Sequence, residues 1–201
     1  MRRFSDKRKT TPKVRDGTVQ RKNRHAPTPD YYNTPQEIPV LDRERPGKDH
    51  RHLIRKKHLI DFISILPDWD ELSVGLDAIV LAHEEGINGW HRPGIVAVCA
   101  WPRKIWEVWG PEFYFEHREI LKRLGVPCEK QPGEYLCKFT EATARAYQLL
   151  HVLLHELGHH HDRMTTRSKE DSSRGEGYAE QYANRYSSVV FNRYLEVLGL
   201  E

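Results

Sequence analysis

The sequence is poor in cysteine and lacks any long apolar run, and both absences limit the kind of protein it encodes. Its 201 residues include three cysteines, Cys99, Cys128 and Cys137, which form no paired framework and favour a reducing compartment. No apolar stretch approaches the roughly 18–20 residues of a membrane span. The positive charge at the start is not followed by an apolar segment, so we expect no secretory signal, no membrane contact and a cytoplasmic location.

Acidic residues are scarce at the start of the chain, where basic residues and prolines are frequent. The first 25 residues contain ten basic and two acidic side chains, a net charge of +8, so the whole-chain charge of +3 leaves −5 for the rest. Six prolines fall within residues 1–48. We therefore predict a basic, disordered tail over 1–48 and one domain over 49–201. Such a tail is either a solvated leader or a weak, salt-sensitive contact for nucleic acid.

The remaining sequence alternates short apolar runs with amphipathic stretches. Strands are predicted over 77–82, 94–100, 105–109 and 135–139, and a long hairpin-like loop over 83–93 joins the first two. Helices are predicted over 52–66, 112–124, from Thr140 onward, and from about 174 to 198. This order predicts an α+β fold, in which a small, mostly antiparallel sheet is followed by two functional helices.

Two histidines stand one helical turn apart in the leucine-rich stretch 149–162. On a helix, His155 and His159 share a face with Cβ atoms roughly 5–6 Å apart, close enough for both imidazoles to reach one metal ion. Glu156 lies about 100° round the helix from His155, so its carboxylate flanks the ion and can accept a proton from bound water. The leucines fall on the opposite side. The competing interpretation is a core helix that carries surface histidines.

The pattern His-Glu-x-x-His over 155–159 resembles the motif of the zinc metallopeptidases called zincins. A catalytic zinc site uses three protein ligands and leaves one position for water. The third histidine of metzincins would fall at Thr165, which argues against that branch. The cysteine ligand of peptide deformylases could correspond to Cys137, but the residues that flank it in that family are missing. A glutamate on the following helix is the remaining choice.

That helix resembles the gluzincin branch, in which the phrase Glu-x-x-Ala-(Asp/Glu/Asn)-x-(Phe/Tyr) follows the histidine motif. The phrase occurs in two overlapping registers, over 180–186 and over 176–182. The first register makes Glu180 the third ligand, with Asn184 as a partner for a ligating imidazole. The second makes Glu176 the ligand and Glu180 the orienting carboxylate.

We prefer Glu180, because its separation from His159 is closer to the thermolysin-like spacing. Glu176 could instead form a capping box with Ser173 and point back toward the start of the helix. Glu176 is the alternative third ligand. The resemblance to gluzincins covers about residues 149–187.

The resemblance implies a zincin-like fold and a metallopeptidase that cleaves polypeptides. In it, His155, His159 and Glu180 (or Glu176) hold Zn²⁺, and Glu156 acts as general base toward a zinc-activated water. An edge strand, either 77–82 or 94–100, would pair with the extended substrate. The oxyanion donor is open among the neighbouring residues Tyr178, Tyr182, His160 and His161. The alternative is a non-catalytic, metal-containing binding module whose basic tail engages nucleic acid.

Overall fold

The computed structural model describes residues 14–15, 18–19, 28–167 and 172–200. Its strands are β1 (Val14–Arg15), β2 (Thr18–Val19), β3 (Val40–Arg43), β4 (His50–Arg51), β5 (Ala78–Ala82), β6 (Gly89–Arg92), β7 (Ile95–Cys99), β8 (Trp101–Pro102), β9 (Trp106–Trp109), β10 (Cys128–Gln131) and β11 (Glu134–Lys138). Its helices are α1 (Lys56–Ile63), α2 (Trp69–Leu72), α3 (Pro111–Arg123), α4 (Glu141–Tyr147), α5 (Leu154–Thr165) and α6 (Gly175–Val197), and a π-helical segment (Gln148–Leu153) joins α4 to α5. The predicted α+β class is confirmed.

A four-stranded sheet has the order β3-β5-β7-β6. The first three strands are parallel, and β6 runs antiparallel to β7 at the edge. Every residue of β5 and β7 is buried, as expected for uninterrupted apolar strands of a parallel sheet that is covered on both faces. Both strands were predicted, but the prediction that a hairpin-like loop joins them is wrong. They are parallel neighbours, and the connecting stretch supplies β6 instead.

A second, three-stranded sheet has the order β10-β11-β9 and is antiparallel throughout. Its strands β9 and β11 confirm the predictions over 105–109 and 135–139. The predicted mostly antiparallel pairing is confirmed for this sheet. It is wrong for the four-stranded sheet, where the apolar strands β5 and β7 pair in parallel.

The folded part of the chain begins earlier than the predicted boundary at residue 49. Strand β3 lies within the predicted tail and pairs with β5 in the sheet. Upstream of it, the buried Tyr31 donates a hydrogen bond to Asp42 Oδ2 at 2.9 Å. The prolines alone were therefore a poor guide to the domain boundary. The predicted disorder at residues 1–13, 16–17 and 20–27 lies outside the described residues.

One helical run, formed by α4, the π-helical segment and α5, carries the histidine motif. It starts at the predicted cap, where Thr140 Oγ1 accepts the backbone N–H of Thr143 at 3.1 Å. The π-helical turn ends directly before α5, and such turns inside α-helices are frequent at functional sites. The core-facing leucines of this run are at most 1 % exposed: Leu149, Leu150, Leu153, Leu154 and Leu157.

Helix α6 packs directly against α5, and a glycine allows the close approach. A Cβ atom on Gly158 would lie 2.9 Å from the Cα of Ala179 and 3.1 Å from the Cβ of Tyr182. Helices α3 and α6 confirm the predictions over 112–124 and 174–198, while α1 is shorter than the predicted helix over 52–66. None of the helices within the described ranges is both long and apolar enough to span a bilayer.

Candidate metal centre

A cleft of about 960 Å³ lies between the edge strand β6, strand β9 and the helices α5 and α6. All three residues of the histidine motif, His155, Glu156 and His159, line it. The motif is helical, as its spacing predicts, and its side chains face an accessible space, which the interpretation as a core helix with surface histidines does not predict.

Three ligand atoms converge in this cleft. The Nε2 atoms of His155 and His159 are 3.1 Å apart. The carboxylate of Glu176 lies 3.0 Å from the first nitrogen and 3.4 Å from the second. Tetrahedral zinc with bonds of about 2.0–2.1 Å separates neighbouring ligand atoms by about 3.3 Å. The three side chains therefore fit a zinc ion, with the open side of the cleft left for a further ligand.

Negative charge surrounds His155. Burial alone would lower the pKa of this histidine, but the nearby carboxylates of Glu180, Glu156 and Glu176 outweigh burial and raise it. The same three carboxylates would stabilise a cation held between the imidazoles.

Glu176 is free to face the histidines because another residue caps the start of α6. The buried Asp162 accepts the backbone N–H groups of Arg174 and Gly175 at 2.7 and 3.2 Å, and the Nε–H of Arg174 at 2.8 Å. These bonds satisfy donors that a helix start leaves unpaired. The proposed capping box with Ser173 is not the arrangement found, because Arg174 occupies the N-cap position.

Glu180, our preferred third ligand, meets the other side of the first histidine. Its Oε2 lies 3.4 Å from Nδ1 of His155 and 3.6 Å from Nε2 of His151. Asn184 donates to its Oε1 at 2.9 Å. A carboxylate beside the second ring nitrogen is the usual means of orienting a ligating imidazole. The geometry thus favours the alternative register, with Glu176 in the ligand position and Glu180 in the orienting position.

Glu156 is only 7 % exposed and sits beside the edge strand. Burial raises the pKa of its carboxyl to about 7, while the charge of His155 opposes the shift. A Cβ on Gly89 of β6 would lie 2.6 Å from Glu156 Oε1 and 2.8 Å from the carbonyl oxygen of Ala97. Glycine at this position therefore lets the strand pass directly over the carboxylate.

Four histidines outside the motif also line the cleft: His50, His91, His117 and His151. His91, on β6, lines the cleft with its ring 5.9 Å from that of His159, and burial lowers its pKa to about 4. His117 and His151 line the cleft beside Glu180. The sequence indicates a place in the cleft for His151 alone, because it lies four residues before His155 on the same helical run. His91 lies on β6 and His117 on α3, so spacing along the motif could not indicate them.

The four residues considered as oxyanion donors do not line the described cleft. His160 is engaged with the carbonyl oxygen of Val74 at 3.0 Å, and Tyr178 with Nδ1 of His161 at 2.7 Å. Tyr182 is buried in the core.

No protein-family model, no curated protein and no solved structure matches this chain. The site's own geometry and chemistry must therefore carry any functional assignment.

Proposed function

We propose that this chain is a zinc-dependent metallopeptidase of zincin-like fold that cleaves polypeptides. One observation carries the proposal. His155 Nε2, His159 Nε2 and the Glu176 carboxylate converge at 3.0–3.4 Å, in a cleft that also contains the buried Glu156. Two imidazoles and a carboxylate are the donor set of catalytic zinc sites that keep one position for water.

Each side chain has a separate role. His155, His159 and Glu176 would hold the ion, and Glu180, whose Oε2 lies 3.4 Å from Nδ1 of His155, would orient that ring. Zinc bound there would supply Lewis-acid activation of a water molecule and of the scissile carbonyl. Glu156 accepts a proton from the attacking water and delivers it to the amine nitrogen as the C–N bond breaks. Its buried position in the wall of the cleft, with a pKa near neutrality, suits both halves of that transfer.

The substrate is expected to bind as an extended strand along β6. Among the described strands, β6 pairs with β7 alone, and it lies at the end of the four-stranded sheet. Its first three residues, Gly89, Trp90 and His91, line the cleft. An unpaired strand edge can hold a peptide through main-chain hydrogen bonds. Neither β5 nor β7 can serve, because both are interior strands, so the expectation of an edge at 77–82 or 94–100 is wrong.

The decisive experiment replaces Glu156 with Gln, which keeps the size of the side chain and removes its ability to accept a proton. Zinc content, measured by plasma mass spectrometry, should stay at the parental level. Hydrolysis of fluorescein-labelled casein and of a quenched peptide library should fall by at least about 10²-fold, as is typical when a general base is lost.

Two controls separate binding from chemistry. His159→Ala should lose the zinc of this site and the hydrolysis together, and Glu176→Ala should lower hydrolysis more than Glu180→Ala does. A Glu156→Gln variant that hydrolyses casein at the parental rate would overturn the mechanism. A parent that binds zinc and cleaves none of the library would favour the non-catalytic, metal-containing binding module instead.

A further inference from the structure

A second group of metal-ligand side chains lies in the same cleft, next to the first. His117 of α3, His151 of the π-helical segment and Glu180 of α6 each offer a ligand atom, and these atoms lie within 4.8 Å of one another. His151 Nε2 and Glu180 Oε2 are 3.6 Å apart, which is too long for a hydrogen bond. The distance is close to the spacing of about 3.3 Å between two ligands of one tetrahedral ion.

One nitrogen of the His117 ring is already held by the backbone. Its Nδ1–H donates to the carbonyl oxygen of Phe113 at 2.6 Å. This bond fixes the tautomer and leaves the lone pair of Nε2 as the free donor. A backbone carbonyl behind the other nitrogen is the usual support of a metal-ligating histidine.

His151 and Glu180 complete a donor set of two neutral imidazoles and one carboxylate. His151 is 4 % exposed, and burial together with His117 keeps its pKa far below the ordinary value. Asn184 occupies Glu180 Oε1, so Oε2 is the oxygen turned toward the histidines. The two histidines are buried and the carboxylate is half-buried, and polar groups withdrawn from water in this way are costly unless they are paired or bind a cation.

A tyrosine with an unpartnered hydroxyl, Tyr147, packs against both histidines, with its ring 6.0 Å from that of His117. The fully buried Tyr147 stacks on His151, with ring centroids 5.2 Å apart and planes inclined by 23°. Across the described residues, its hydroxyl group has no hydrogen-bond partner, although the side chain lines the cleft. Buried polar atoms of this kind are normally satisfied, so a ligand or a water held by one is expected beside it.

We propose that His117, His151 and Glu180 form a second binding site for a divalent first-row metal ion, distinct from the site of His155, His159 and Glu176. The two groups share no side chain. Because the second group joins α3 to the π-helical segment and α6, an ion there would tie α3 to the wall of the cleft. It would also hold Glu180 in place behind His155.

Metal stoichiometry tests this directly on the full chain. The protein is stripped with a chelator and titrated with Zn²⁺ against a chromophoric competitor, and the bound metal is counted by plasma mass spectrometry. The parent and the Glu156→Gln variant should each bind two zinc ions. A His117→Ala/His151→Ala double variant should bind one, and His159→Ala should lose the other.

His50→Ala is the matched control. His50 also lines the cleft with its Nδ1 at 2.8 Å from a backbone carbonyl oxygen, that of Lys48, but belongs to neither group. It should keep two ions. The proposal is overturned if the parent binds a single ion, a result that needs no variant to fold, or if the double variant still binds two. Either result leaves the first site and its hydrolysis assay intact, so the two proposals fail separately.

Discussion

The contact between Gly158 of α5 and Ala179 of α6 sets how closely α6 approaches the histidine motif. Adding one methyl group at Gly158 tests this contact. In Gly158→Ala, the new Cβ would meet the Cα of Ala179 at 2.9 Å, where ordinary contacts are 3.4–4 Å. Backbone atoms of α6 cannot rotate away, so the helices must separate by several tenths of an ångström. Overpacking of this kind costs roughly 1–3 kcal/mol.

A second helical glycine supplies the matched control. Alanine is favoured over glycine inside a helix by roughly 0.5–1 kcal/mol, and this gain partly offsets the steric cost in Gly158→Ala. Gly177 lies in the first turn of α6, and a Cβ there would contact nothing within 4 Å. Gly177→Ala should therefore gain stability from the higher helix propensity of alanine without any steric clash. The difference in stability between the two variants isolates the steric term, about 1–3 kcal/mol.

Thermal unfolding of the zinc-free protein, followed by circular dichroism, measures this difference. For a chain of this length, 1 kcal/mol corresponds to about 2–4 °C. Gly177→Ala should melt at or slightly above the parent, and Gly158→Ala about 2–12 °C below Gly177→Ala. Zinc affinity should also fall in Gly158→Ala by about tenfold or more, because Glu176 moves away with α6. Equal melting temperatures and equal zinc affinities in the two variants would refute the close helix contact.

Two further variants examine the neighbours of the motif. Gly89→Ala should push β6 off Glu156 and reduce casein hydrolysis while zinc content stays at the parental level; unchanged hydrolysis would show that the strand does not pass over the carboxylate. Asp162→Asn should destabilise the fold by roughly 1–3 kcal/mol at neutral pH, since it weakens a buried acceptor of N–H groups from Arg174 and Gly175. Burial would raise the pKa of Asp162, but the hydrogen bonds from Arg174 and Gly175 lower it. The stability that Asp162 contributes is therefore complete above its pKa in the unfolded chain. It is lost as the pH falls through its pKa in the folded protein. The free energies of unfolding of parent and variant, measured with urea, should therefore converge at acidic pH. A difference that persists in acid would contradict this role of the Asp162 carboxylate.

The sequence predicted the parts of the site that depend on local spacing. His155 and His159 recur at one helical turn and the leucines at the opposite face, so the helix and its buried side followed from periodicity. Strand β6 was missed because Gly89–Arg92 is polar and short, as an edge strand beside a cleft can be. The parallel pairing of β5 and β7 was missed because an apolar run shows that a strand is buried without showing the direction of its partner.

The choice of third ligand was beyond local reasoning, because it depends on where α6 begins and what caps it. The cap comes from Asp162, on the helix before, through contacts over 12 and 13 residues. A capping box within α6 was the natural expectation from Ser173 and Glu176. Only the packing of α6 on α5 frees the Glu176 carboxylate for the histidines.

The same packing gives a physical meaning to the two overlapping registers. Along α5 and the π-helical segment, histidines stand at 151, 155 and 159, and along α6, glutamates stand at 176 and 180. Higher-numbered histidines meet the lower-numbered glutamate: His159 lies against Glu176, His155 against both, and His151 against Glu180. The helices are thus antiparallel, and a four-residue step of about 6 Å repeats on each. Because histidines and glutamates both recur every four residues on the facing helices, moving four residues along each helix brings another glutamate against another histidine. The two phrases in the sequence therefore correspond to two successive levels of one helix pair, with a carboxylate for a histidine group at each.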